Sequence, residues 1–231
     1  MSDIVLPSGG YRKLKAYQKS EVIYQGTVAF CRRFLPAHGD RTVDQMVQAA
    51  RSCKQNIAEG SGASGTSKET EIKLTGVARA TLAELLEDYQ DFLTRHGLAE
   101  WPADNPKKSQ MREWAKGHNA WSDYAAGFAS RDAETLANLM MTVIHQEQAL
   151  LDGMLSHQEE DFKACGGIRE RMTRARHAAR AATLDEAVYS RLQQAQTPVQ
   201  LKRMIAEICR SVQKTGERLA KKNGWGATTQ S

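Results

Sequence analysis

Apolar residues return every three or four positions along most of the chain and almost nowhere alternate with a period of two. That spacing puts one side of each segment into a core and predicts helices throughout, with no strand. A first helix is expected over residues 11–35, with Leu14, Tyr17, Tyr24, Val28, Cys31 and Leu35 on one stripe. Pro36 ends it, and Asp40 is placed to cap the next. The second is expected over residues 41–59, buried through Val43, Met46, Val47, Ala50, Cys53 and Ile57, with Gly60 as its terminator. The third starts near Ser67, where Thr66 and Glu69 have capping-box spacing. Its buried face is Ile72, Leu74, Val77, Leu82, Leu85, Leu86, Tyr89 and Leu93, and it ends near His96-Gly97.

Residues 97–130 are less regular. The first part, "GLAEWPADNPKKS", reads as a loop, and "QMREWAKGHNAWSDYAAGFAS" as a weaker helix whose Trp114 and Trp121, seven apart, cover the bundle. A fourth long helix is expected over residues 132–164, with Leu136, Met140, Val143, Ile144, Leu150, Leu151, Met154, Leu155 and Phe162 as its stripe. Gly166-Gly167 breaks the pattern, which restarts and yields a helix over about residues 184–196. Thr197-Pro198 is a cap followed by proline at the first helical position. The last helix carries Leu201, Ile205, Ile208, Val212 and Leu219, a two-per-heptad seam, and Asn223-Gly224 stops it. The architecture predicted is an all-α, up-and-down four-helix bundle over residues 1–164, with an insertion at 97–130, followed by a helical suffix over 165–231.

Charge changes this picture. The net +5 of the chain is uneven: residues 1–162 hold 18 Lys and Arg against 22 Asp and Glu, a net of −4, whereas residues 163–231 hold 14 against five, a net of +9. A split of this kind points to a polyanion or an acidic protein as partner. Arg169, Arg171, Arg174, Arg176 and Arg180 fall within twelve residues. Lys202, Arg203, Arg210, Lys214, Arg218, Lys221 and Lys222 accompany the last seam. Guanidinium groups fork onto phosphate, so these residues are the candidate nucleic-acid contacts. Aromatics are nearly absent there, apart from Tyr189 and Trp225, so base stacking is poorly supported and backbone contact is expected. The alternative is an arm that packs on an acidic surface of its own bundle or of a protein partner.

Catalytic patterns are weak. "GSGASGTSKETEIKL" has Gly60 and Gly65 at phosphate-loop separation, but Lys68 comes two places late and a helix, not a strand, precedes it. It reads as a helix end, a turn and a cap in series. No E-x-x-H occurs, and the acids Glu84, Glu87, Asp88 and Asp91, like His145 with Glu147 and His157 with Glu160, read as wet faces. Cys31, Cys53, Cys165 and Cys209 lack metal or disulfide spacing and are read as reduced thiols in or near cores. With no apolar run of spanning length and no secretory pattern at the N-terminus, the expectation is a cytoplasmic, non-membrane, cofactor-free protein that is not an enzyme.

The block over residues 48–85 resembles the four-helix-bundle family encoded in intervening sequences of ribosomal RNA genes, to which accessory variability proteins of diversity-generating retroelements are related. Asn56-Ile57-Ala58-Glu59-Gly60 and Ala78-Arg79-Ala80-Thr81-Leu82-Ala83-Glu84-Leu85 carry the resemblance, and "LKAYQKSEVIYQGTVAF" is similar to its first helix. The resemblance implies a left-handed bundle forming a ring, typically a pentamer, that binds nucleic acid and a reverse transcriptase without catalysis. Such proteins often carry basic residues in the turn after the glycine; this chain has the neutral "SGASGTS" there, and its positive charge lies in the suffix.

Overall fold

The computed structural model describes residues 9–36 and 41–223. Among them every regular element is helical. A single 3-10 turn, Tyr11–Lys13, precedes α1 (Lys15–Phe34), α2 (Arg41–Ala63), α3 (Lys68–Arg95), α4 (Pro106–Gly117), α5 (Trp121–Ser130), α6 (Ala133–Cys165), α7 (Ile168–Gln193) and α8 (Pro198–Lys222). The first helix therefore begins later than expected, because Leu14 takes an extended ψ of 129° between the turn and α1. The cap expected at Asp40 and the stop expected at Gly224 lie outside the described residues.

By its internal contacts the chain divides into two units, Met1–Arg171 and Met172–Ser231. In the first, α1 packs on α2 and α6, and α3 packs on the same two helices. Phe30, Met46, Ile57, Leu82, Leu85, Leu136, Met140 and Leu151 are fully buried among them. Tyr89 is also fully buried, and its hydroxyl meets Thr27 Oγ1 at 3.1 Å, which removes the cost of enclosing a phenol. The shorter α4 and α5 lie against α6 and α1 respectively.

Several sequence expectations are corrected here. The α1 stripe is wrong by a fraction of a turn: Tyr17, Tyr24 and Val28 sit at the rim, while Ala16, Lys19, Ser20, Val22, Ile23, Gly26, Thr27 and Phe30 are buried. Apolar periodicity passes over that face because half of it is small or polar. Gly60 does not end α2, which runs three residues further; it is a buried contact point, and a Cβ there would lie 3.5 Å from both the Glu71 carbonyl and Leu74 Cβ of α3. The α3 cap is one residue later than expected: Ser67 Oγ accepts from Thr70 N at 3.2 Å. Val77 is exposed, and Thr75 and Ala78 take the core positions beside it. The suffix helix expected over 184–196 is part of the uninterrupted α7.

Gly26 of α1 is closely packed: an added Cβ would stand 2.7 Å from Met140 Sδ and 3.1 Å from Phe128 Cζ. Gly26→Leu is expected to destabilise by about 1–3 kcal/mol through overpacking. Gly153→Ala, in α6 with open space around the new methyl, should stabilise by up to about 1 kcal/mol. Thermal melts of the two variants check both signs.

Candidate nucleic-acid interface

α6 stops at Gly166, whose φ of 68° with ψ of 178° is backbone that side chains avoid. A Cβ there would collide with the Glu170 carboxylate, which accepts the Gly167 N–H and so starts α7. α7 then carries Arg169, Arg176 and Arg180, seven and four apart, on one exposed face. Arg174 is exposed on another. Arg171 is set apart from the rest: it is only 9% exposed, and among the described residues its guanidinium nitrogens have no hydrogen-bond partner. The five arginines expected to act together are thus four surface cations and one enclosed one.

α8 follows the turn at residues 194–197. Thr197 Oγ1 accepts from Gln200 N at 3.2 Å, and Pro198 holds the first helical position, so the sequence reading of this start is correct. Along α8, Arg203, Arg210, Lys214 and Lys221 are seven, four and seven residues apart and share one stripe. Leu201, Ile205, Ile208, Val212 and Leu219 form the opposite stripe, because two residues turn a helix by about 200°. The cations therefore stand mostly behind the seam; Lys202, Arg218 and Lys222 flank it. No residue of α8 is buried, and Leu201, Ile205, Val212 and Leu219 are all exposed.

Few acids neutralise these groups. Glu207 lies 3.5 Å from both Arg203 on its own helix and Arg191 on α7. Arg210 Nε donates to the Ala206 carbonyl at 3.3 Å. Among the described residues no carboxylate lies within 4.0 Å of Arg176, Arg180, Lys202, Lys214, Arg218, Lys221 or Lys222. Such exposed cations on rigid helical spacing can meet a run of phosphates through charge-assisted hydrogen bonds. Tyr189, 65% exposed on α7, is the suffix aromatic open to solvent among the described residues.

In the first unit, the outer side of α2 and α3 forms an open groove of about 1090 Å³ edged by Asp44, Glu84, Glu87, Asp88 and Asp91 with one cation, Arg41. Partial burial, and then the neighbouring Asp91 and Glu84, raise the Asp88 carboxyl above its ordinary value. This is the acidic face expected from the sequence.

Two polar groups in the core had no counterpart in the sequence reading. Lys19 is 2% exposed, and its ammonium donates to the carbonyls of Ala115 and His118 and to Gln146 Oε1, at 2.5, 3.2 and 3.2 Å. Burial brings its pKa down to about 8, opposed by the nearby charge of Glu147. Glu147, expected on a wet face, is fully buried, and neither carboxylate oxygen has a hydrogen-bond partner. Burial raises its pKa well above the ordinary carboxyl value, with Lys19 acting the other way. The same burial, and then Glu147, push the Cys53 thiol up. Cys31 and Cys53 are core thiols as expected, but Cys165 and Cys209 are exposed. Among the described residues no group of three or more His, Cys, Asp or Glu is placed to hold a metal ion, and no helix is long and apolar enough to cross a membrane.

The class these features define is an all-helical protein with a cationic two-helix suffix. Compared with protein families, characterised proteins and solved structures, the chain matches none of them.

Proposed function

We propose that this protein is a non-catalytic, homo-oligomeric accessory factor that binds the backbone of structured RNA or an RNA/DNA hybrid through α7 and α8, in support of a reverse transcriptase. The observation that carries this reading is the segregation of α8 into a cationic stripe and an apolar stripe on opposite sides. Cations placed behind the seam suit a helix that covers its seam with protein and turns its charge toward a separate polyanion. The mutual packing of α1, α2, α3 and α6, with only four residues between α2 and α3, fits an up-and-down four-helix bundle. The sequence resemblance adds the expectation of a ring alongside a polymerase, and the scattered cysteines that of a cytoplasmic setting.

The test is an electrophoretic titration with structured RNA, RNA/DNA hybrid and duplex DNA at two salt concentrations. Binding to all three that falls steeply with salt is expected, since phosphate contact releases counterions and reads little sequence. No binding at low salt removes the reading.

The uncovered seam and the acidic α2–α3 groove favour a second reading, a scaffold in which the suffix of one copy docks on an acidic surface of another or of a protein partner. Deletion of residues 166–231 is then expected to change the number of subunits per oligomer, read from the mass by light scattering. An unchanged number would count against it.

A further inference from the structure

The insertion between α3 and α6 builds a cleft of about 590 Å³ against α6, within the usual range of about 300–1,000 Å³ for small-molecule sites. It is separate from the basic suffix and from the acidic groove. Its walls are the rings of Trp101, Trp114 and Tyr124, with Met111 and Leu139 between them. Trp114 is 40% exposed, yet its ring is held in place: it stacks on His118 at 4.2 Å and 15°, and meets Tyr124 edge-on at 4.9 Å. Tyr124 donates its hydroxyl to the His118 carbonyl at 2.9 Å, and Trp101 donates Nε1 to Glu134 at 2.9 Å. The polar atoms of Tyr124 and Trp101 are thus already satisfied; those two rings are 2% and 5% exposed and back the cleft, and the π surface open to a visitor is that of Trp114. A rigid, partly open aromatic wall is the arrangement that binds flat rings with little entropic cost.

Charge around the cleft is divided in a selective way. Asp123 accepts the Ala120 N–H that starts α5, Glu134 accepts Trp101 Nε1 and the Ala99 N–H, and Asp132 caps α6 through Thr135. Each carboxylate therefore has a structural hydrogen bond holding it in place. The cations have no such hydrogen bond, although Lys107 lies near enough to Asp132 and Glu134 to favour their charged forms. Lys107 stands 5.4 Å above the Trp101 ring, and Arg131 folds back over Gly127 at the cleft edge. Among the described residues neither has a carboxylate within 4.0 Å. Both side chains are long and exposed, so both can swing onto a ligand.

We infer that the cleft between α4, α5 and α6 is a binding site for a planar aromatic ligand bearing an anionic group, the ring lying against Trp114 and the anion meeting Lys107 and Arg131. A nucleotide and an aromatic carboxylate or sulfonate share this chemistry. The full-length protein is titrated with AMP, naphthalene-2-sulfonate and the neutral 2-naphthylmethanol, read by tryptophan emission and calorimetry. Saturable one-to-one binding with Kd below about 1 mM is expected for at least one anion, with the neutral compound weaker by about tenfold or more. Preference for AMP assigns the nucleotide source, and preference for the sulfonate assigns the aromatic acid. Trp114→Ala and the pair Lys107→Ala, Arg131→Ala should each weaken binding by about tenfold, with circular dichroism and nucleic-acid binding by the suffix unchanged. Lack of saturation with both anions, equal affinity for the neutral compound, or unchanged affinity in the charge-pair variant overturns the assignment.

Discussion

Replacing Arg203, Arg210, Lys214 and Lys221 together by glutamine is expected to abolish most of the salt-sensitive nucleic-acid binding while leaving the helices and the oligomer intact. The four share the stripe opposite the seam of α8, and all are exposed. Only Arg203 has a carboxylate near it, at 3.5 Å and in solvent, so its loss costs little stability. Each phosphate contact contributes a slope of about −0.9 to log K against log salt, so four contacts give a total of about −3.6. Between 50 and 200 mM salt the native protein should therefore lose about a hundredfold more affinity than the variant. Equal slopes would show that this face does not touch the backbone. The seam variant Ile205→Asp, Val212→Asp separates the two readings of the suffix. It should alter assembly by light scattering if the seam is covered by protein, and leave the salt slope of any remaining binding in place.

The buried pair in the core carries the second large effect. Lys19→Met removes an ammonium that satisfies two carbonyls and an amide oxygen, and takes from Glu147 the nearby charge that favours its ionised form. The loss expected is on the order of 3 kcal/mol, enough to lower the melting temperature by several degrees. Glu147→Gln acts on pH dependence instead. The folded state holds the Glu147 proton more tightly than the unfolded chain, whose carboxyl titrates near 4.5. The resulting stability is present in full below that value and is lost as pH rises toward the folded pKa. Lys19 has the opposite sense. Its folded pKa of about 8 lies below the unfolded 10.5, so the folded state gains stability as pH rises from about 8 toward 10.5. Melts of the native protein should therefore fall from about pH 5 upward, and the Gln variant should fall less over the same range. Parallel curves for the two proteins would mean that Glu147 does not hold an extra proton in the folded state.

Local spacing along the chain is enough to show that the described residues are helical, where α1, α3 and α6 stop, and where the charge lies. Thr197 and Pro198 sit where capping chemistry puts them, and the three-and-four spacing of Leu82, Leu85, Tyr89, Leu136, Met140 and Val143 marked the inward sides of α3 and α6. These features are legible because they rest on neighbours within one or two helical turns. The enrichment of Lys and Arg in the suffix is a matter of counting and needs no fold.

What the tertiary structure decided are the places where the inside of the molecule is not apolar or its outside is not polar. Lys19, Gly26 and Thr27 on α1 and Gln158 on α6 are buried because other elements supply their hydrogen bonds, or need the room, from far away in the chain. Lys19 reaches carbonyls 96 and 99 residues on, which no local spacing can announce. The aromatic cleft likewise draws Trp101 from a loop, Trp114 from α4, Tyr124 from α5 and Leu139 from α6. Conversely, the seam of α8 is written as plainly as any core stripe, yet stands open, since periodicity declares that a face wants covering and only packing decides what covers it.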